Sequence, residues 1–267
     1  MARFQLKVCF LGFLLLFTAF AQAQNKELII SKELADNSEM LKVKMGTQWM
    51  GKIWKFKFGE YEVVESKLGW RKVKTKSNLL NTKSEVNSDQ NFSFVLTNKT
   101  NDSAIVNAVE NISIKQLKSY ELFPNFYLGS DELLKESQNF SAFISTTNNN
   151  EETWVLVIKN TQGKEVAYEN EAFLTNGERL ISIIPISSKK DNKNRSELGM
   201  MLNLPAMGYE FIENDQSICA MQYYGGGALG SNKNIIWLRS DLDARMKLIY
   251  AAAMTAVLQI KSSFGVE

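Results

Sequence analysis

The chain has 267 residues, of which 45% are hydrophobic and 22% charged, so it is long enough to bury a sizeable core. It carries 31 basic residues, 29 acidic residues, two cysteines and no histidine. The missing histidine excludes Ser-His-Asp and Cys-His catalysis and histidine-ligated zinc. Carboxylate, lysine or tyrosine acid–base chemistry is what remains open to an enzyme.

The first 23 residues have the layout of a secretory signal peptide. Arg3 and Lys7 form a short basic region, residues 8–20 are apolar, and Ala21-Gln22-Ala23 is a small-x-small cleavage site. The apolar run is shorter than the about 20 residues that a spanning helix needs. We therefore expect an exported protein, periplasmic or extracellular, with no transmembrane segment in the mature chain.

Removal of residues 1–23 takes away Arg3 and Lys7 and leaves 244 residues with 29 basic and 29 acidic side chains. A neutral chain has no overall attraction for nucleic acid, and no nucleic-acid partner is expected. Cys9 is also removed, so Cys219 has no partner for an internal disulfide. Cys219 lies in an apolar run, which predicts a buried, inert thiol.

Most of the mature chain has the sequence features of β-strands. A mixed lead-in segment at 24–41 is followed by residues 52–65, where Trp54, Phe56 and Phe58 alternate with lysines. Asn176-Gly177 and Asn214-Asp215 each separate two apolar runs, as in short hairpins. Further pairs flank turn-forming residues, and the predicted strands lie at 92–96, 104–114, 140–146, 153–160, 166–170, 179–186, 209–213, 217–224 and 234–239.

Two helices are predicted among these strands. The first is short, at residues 130–137, with Ser130 as its N-cap. The second is the central helix at 241–260, capped by Ser240 and followed by a nearly continuous apolar run. A charged, polar stretch at 187–197 predicts a long exposed loop.

The terminal helix has so little polar surface that protein or lipid must enclose it. Its apolar part covers about 13 residues, or ~20 Å, which is short of the ~30 Å hydrocarbon core of a membrane. Its polar exceptions, Lys247, Thr255 and Gln259, fall on one narrow stripe. The sequence therefore predicts a mainly β fold at 42–267: an antiparallel barrel of about twelve strands enclosing the C-terminal helix.

The segment "NIIWLRSDLDARMK", residues 234–247, and the apolar helix after it resemble the end of the phospholipid scramblases. That family is grouped with the tubby-like and LURP-one-related proteins. The resemblance implies a closed barrel of about twelve strands around a central C-terminal helix, in agreement with the enclosure argument. It also raises a scramblase-like, lipid-handling function as one alternative.

An acidic segment ahead of the terminal helix is proposed to bind calcium in scramblases. The matching residues here are Ser231-Asn232-Lys233-Asn234, which carry no carboxylate. Asp241 and Asp243 are explained by helix capping, and calcium prefers six to eight oxygen ligands. We predict no metal site and no cofactor.

A basic stretch at 67–76 is the candidate binding site. It holds Trp70, Arg71, Lys72, Lys74 and Lys76 and no acidic residue. On a strand, the lysines at 72, 74 and 76 share one face, which could hold an anionic lipid headgroup or another envelope polyanion. The alternative is a solvated strand whose lysines discourage edge pairing.

Carboxylates offer a competing hypothesis. Glu60, Glu62 and Glu65 alternate on one predicted strand, and Glu169 and Glu171 lie near a turn, so a carboxylate-dependent hydrolase stays open. The favoured interpretation is an exported, non-enzymatic binding or accessory protein of the cell envelope. Its expected partner is an anionic lipid or an envelope protein.

Overall fold

The computed structural model describes residues 28–78, 82–123, 126–128, 130–147, 149–188, 206–225 and 234–263. The predicted signal peptide and most of the predicted loop at 187–197 lie outside the described residues. The helices and strands, in chain order, are α1 (Lys32–Asn37), β1 (Ser38–Lys42), β2 (Lys44–Met45), β3 (Phe56–Phe58), β4 (Tyr61–Leu68), β5 (Lys72–Ser77), β6 (Lys83–Thr97), β7 (Ser103–Leu117), β8 (Tyr120–Phe123), β9 (Phe126–Leu128), β10 (Glu132–Thr146), β11 (Asn149–Gln162), β12 (Glu169–Thr175), β13 (Leu180–Ser187), β14 (Met207–Glu213), β15 (Gln216–Tyr224), β16 (Ile235–Arg239) and α2 (Ala244–Ser263).

The strands form a nearly closed antiparallel barrel. In the described part of the chain, thirteen strands follow one another in the order β1-β16-β15-β14-β13-β12-β11-β10-β7-β6-β4-β3-β2, and β5 pairs with β6 beside this path. The first and last strands of that order, β1 and β2, are separated only by Val43. The backbone therefore links the two ends of the sheet directly.

Helix α2 is the centre of the hydrophobic core. Every residue from Leu248 to Ile260 is buried, and the helix contacts β6, β7, β10 and β15. The three alanines at 251–253 are fully buried and leave room for strands to approach the helix closely. The prediction of a mainly β barrel with an enclosed C-terminal helix is confirmed.

The helix begins three residues later than the predicted start at 241. Asp243 Oδ1 accepts a hydrogen bond from the Met246 backbone N–H at 2.9 Å, which makes Asp243 the N-cap instead of Ser240. The Ser240 carbonyl oxygen accepts a hydrogen bond from Lys247 Nζ at 2.7 Å. One end of the predicted polar stripe therefore binds the turn before the helix.

The other two polar residues of the stripe are inside the barrel. Thr255 Oγ1 donates to the Ala251 carbonyl at 2.8 Å. Gln259 Oε1 accepts from the Trp54 backbone N–H at 3.2 Å. These bonds satisfy polar atoms that would otherwise be costly to bury.

The predicted turns connect antiparallel strands as expected. Asn176 Oδ1 accepts from the backbone N–H groups of Glu178 and Arg179, and Gly177 has a φ of +93°. Asn214 and Asp215, between β14 and β15, have φ values of +50° and +63°. Such positive values at both central residues suit a two-residue hairpin turn.

The predicted helix at 130–137 is wrong, because this segment opens β10. Glu132 lies opposite Leu117 of β7, and the pairing continues along both β7 and β11. Asp131, ahead of the strand, accepts from the Ser119 backbone N–H at 2.8 Å. Pairing with two long strands outweighs the weak helical preference of a short segment.

The described part of the predicted lead-in segment packs against the barrel. Leu28 and Leu34 are buried with Ala220 and Trp237 on the outer surface of β15 and β16. Strand β1 starts at Ser38, so the sheet begins four residues before the predicted boundary at 42. Because α2 covers β15 from inside and the segment covers it from outside, residues 217–222 are buried without alternation.

Candidate functional site

The predicted basic residues lie on and next to β5, an edge strand. Lys72, Lys74 and Lys76 are opposite Asp89, Asn87 and Glu85 of β6. Residues directly opposite in an antiparallel pair point to the same side of the sheet. Because the neighbouring residues Ser84 and Ser88 are buried on the inner side, the three lysines lie together on the outer side. We call them the lysine row.

The lysine row is open to solvent. Every residue of β5 is exposed, and Trp70, just before the strand, has 85% of its surface exposed. Among the described residues, none of the three lysines forms an ion pair. By contrast, Lys159 binds Glu171 at 3.1 Å on another strand of the sheet.

Arg71 does not extend the lysine row, although the sequence groups it with the lysines. Its guanidinium Nη2 donates to Gln90 Oε1 at 2.9 Å and lies 3.8 Å from Glu110 Oε2. Glu110 is buried on the inner side of β7, between Ala108 and Ile112. The structure thus brings Lys72, Lys74 and Lys76 together with Trp70 just ahead of them, whereas Arg71 reaches toward the inner side of the sheet with 34% of its side chain still exposed.

Glu110 is the centre of a polar cluster that the prediction missed. Gln138 Nε2 donates to Glu110 Oε1 at 2.8 Å. The positive charge of Lys261, in the last turn of α2, acts to lower the pKa of the same carboxylate. Lys261 Nζ lies 5.7 Å from the ring centroid of Tyr209 and 5.5 Å from that of Tyr223. The sequence contains a signal for this cluster. Glu110 takes an inward position in the alternation Val106-x-Ala108-x-Glu110-x-Ile112, whose other members are apolar.

We expect Glu110→Gln to stabilise the protein at neutral pH. Burial raises the pKa of Glu110, although the Gln138 hydrogen bond and the charges of Arg71 and Lys261 oppose the rise. The folded state therefore holds this proton more tightly than the unfolded chain does. The contribution of this tighter proton binding to the free energy of unfolding is complete below pH 4.5, the ordinary pKa, and is lost as pH rises through the pKa of Glu110 in the folded state.

Urea unfolding across this pH range measures the effect. Glu110→Gln should show a smaller fall in the free energy of unfolding toward neutral pH than the wild type. The exposed Glu169→Gln variant serves as a control and should follow the wild-type curve. If the free energy of unfolding depends on pH equally in all three proteins, the pKa of Glu110 is not raised in the folded state.

The other candidate carboxylates lie on exposed strands and turns. Glu62 binds Lys57 at 2.7 Å and Lys55 at 3.0 Å, and the hydrogen bonds from Lys57 and Lys55 lower the pKa of Glu62. Glu60 and Glu65 are exposed. A lowered pKa is the opposite of what a general acid needs at neutral pH.

The acidic residues near α2 have structural partners. Arg239 binds Asp241 through two hydrogen bonds of 2.9 and 2.6 Å, and Asp243 caps the helix. Within the described ranges, no group of three or more acidic or cysteine side chains could hold a metal ion. Cys219 is fully buried as predicted, and burial raises the pKa of its thiol well above the ordinary value.

The barrel wall at the beginning of α2 holds a partly buried ion pair. Arg179 Nε and Nη2 donate to the two carboxylate oxygens of Glu213, each at 2.7 Å. The same guanidinium lies 5.4 Å from the Trp154 ring centroid and donates to Met246 Sδ at 3.2 Å. This arrangement connects the turn before β13, together with β14 and β11, to the first turn of the helix.

Comparison with protein-family models, curated proteins and solved structures finds no match to this chain. The resemblance to the tubby-like superfamily therefore stays a prediction from the terminal strand and helix. Neither described helix has the length and apolar character required to cross a membrane.

Proposed function

We propose that the protein is an exported, non-enzymatic binding module of the cell envelope that attaches to an anionic lipid surface through the lysine row. The observation that carries this proposal is a row of three lysines on an exposed edge strand that form no ion pair with any residue the structure describes, preceded by a tryptophan that is 85% exposed. An indole ring is suited to the membrane–water interface, and nearby lysines attract anionic headgroups.

The cross-strand neighbours limit how strong this attraction is. Asp89 and Glu85 lie opposite Lys72 and Lys76. Asp89 accepts a hydrogen bond from Asn111 at 2.7 Å, and Glu85 accepts one from Asn87 at 3.0 Å. Both carboxylates are thus hydrogen-bonded to amides on the sheet and form no ion pair with the lysines among the described residues. The hydrogen bond from Asn87 and the charge of Lys76 lower the pKa of Glu85, so this carboxylate offsets part of the positive charge of the row.

Replacing all three lysines of the row with glutamine tests the proposal. Each basic residue near an anionic surface contributes about 1 kcal/mol, so we expect binding to anionic vesicles to weaken by about a hundredfold. Co-sedimentation of residues 24–267 with neutral and anionic vesicles, at low and high salt, measures the change.

A matched control uses lysines elsewhere on the barrel. Lys32, Lys42 and Lys44 are exposed and belong to α1, β1 and β2, and β2 is three strands away from β6, the partner of β5, in the order of the sheet. Changing these three to glutamine alters the net charge equally and should leave vesicle binding nearly unchanged. Equal losses in the two triple variants would mean that net charge, and not the lysine row, determines binding.

A further inference from the structure

The outer surface of the barrel next to Trp70 contains a shallow depression of ≈ 300 Å³. Its lining includes Lys67, Gly69, Val109 and Phe143, from β4, β7, β10 and the turn after β4. We call it the outer depression. Gly69 donates its backbone N–H to the Asn91 carbonyl at 2.8 Å, which holds the turn that carries Trp70 against the rim of the depression.

The outer depression has an apolar part beside polar side chains: Phe143 and Val109 lie next to Asn91, Ser93 and Asn107. Phe143 is 50% exposed and Val109 45%, and Ile105, two outward positions from Val109, is 38% exposed. Val155 lies directly opposite Phe143 and extends the apolar surface onto β11. A contiguous group of this kind marks a contact surface more often than isolated exposed residues do.

The apolar surface ends where the charged surface begins. The next outward position after Val109 on β7 is Asn111, which lies opposite Asp89, and Asp89 lies opposite Lys72 of the lysine row. Lys67 contributes a cation to the lining of the outer depression itself. The charge complementarity therefore favours an occupant that offers anionic groups beside an apolar phase.

We propose that the outer depression contacts the acyl region of an anionic lipid membrane, with the lysine row on the headgroups. This inference rests on the proposed function and adds a second component to it. Electrostatic attraction between exposed charges is screened by salt, whereas burial of Phe143, Val109 and the Trp70 ring is not. The two components are therefore separable by ionic strength.

The double variant Phe143→Ser/Val109→Ser tests the inference. Vesicles of phosphatidylcholine mixed with phosphatidylglycerol are the probe, and flotation is measured at low and high salt. We expect the wild type to retain a salt-resistant fraction of its binding and the double variant to lose about tenfold in that fraction. Leu180→Ser/Ile184→Ser, on the exposed outer side of β13, is the control and should match the wild type.

The outcomes distinguish this inference from the proposed function. Wild-type binding that disappears completely at high salt would overturn the apolar contact while leaving the lysine row intact. A salt-resistant fraction that survives the double substitution would also overturn it. Absence of wild-type binding at every salt concentration would overturn both proposals. A wild-type dimer in sedimentation velocity that the double variant converts to monomer would assign the outer depression to a second copy of the chain.

Discussion

Replacing Ala252 with aspartate should strongly destabilise the folded protein. Ala252 is in the middle of α2, has no exposed surface and lies in the run from Leu248 to Ile260 that the barrel encloses. An ionised carboxylate there has no solvent and no prepared partner, and the penalty is several kcal/mol. The free energy of unfolding should therefore fall by at least about 4 kcal/mol, a large part of the 5–15 kcal/mol that typically stabilises a domain. Urea unfolding followed by circular dichroism measures it.

Ala244→Asp is the matched control on the same helix. Ala244 is exposed and is the first residue of α2, where a negative charge interacts favourably with the helix dipole. This variant should be as stable as the wild type or slightly more stable. If Ala252→Asp unfolds at the same urea concentration as Ala244→Asp, the helix is not enclosed.

Arg179→Ala should lower the free energy of unfolding by about 3 kcal/mol. The Glu213 side chain is only 13% exposed, so removal of the guanidinium leaves a mostly buried carboxylate without its two hydrogen bonds. Packing over Trp154 is lost as well. Arg179→Lys should recover only part of the loss, because an ammonium group lacks the planar two-point geometry. Chemical unfolding at neutral pH measures both variants.

Arg239→Ala provides the comparison for Arg179→Ala. Arg239 also makes two hydrogen bonds to one carboxylate, but its partner Asp241 has 61% of its side chain exposed. Exposed pairs typically contribute less than about 1 kcal/mol. The Arg179→Ala/Glu213→Gln double variant should be more stable than Arg179→Ala alone, because it no longer leaves a mostly buried carboxylate without its partner. Equal stability losses from Arg179→Ala and Arg239→Ala would contradict the role of burial.

The sequence was sufficient to predict the barrel, because the features that indicate it are either local preferences of a few residues or rule out other environments for the terminal helix. The pair Asn176-Gly177 needs only its own backbone preference to specify a hairpin, and alternation at Phe56 and Phe58 needs only one buried side. The surface of α2 between Leu248 and Ile260 is nearly all apolar and too short to span a membrane, so enclosure by protein was the environment that remained. Each of these features involves few residues and depends little on distant contacts.

Features that depend on distant contacts were not predicted. The short segment at 130–137 looks helical by itself, and only its pairing with β7 and β11 makes it a strand. Leu28 and Leu34 carry no periodic signal, yet they cover the outside of β15. The separation of Arg71 from the lysine row depends on which side of the edge strand faces the barrel interior. The register with β6 determines that side, and the basic composition contains no information about it.

Lysine acetylation measured by mass spectrometry, with and without anionic vesicles, tests the proposed binding surface most directly. The method reports on each lysine side chain separately and needs no substitution, so it distinguishes the lysine row from other exposed lysines. We predict that anionic vesicles strongly slow the acetylation of Lys72, Lys74 and Lys76 and leave Lys32, Lys42 and Lys44 unchanged. Unchanged acetylation of the lysine row under conditions where the protein is bound would contradict the account.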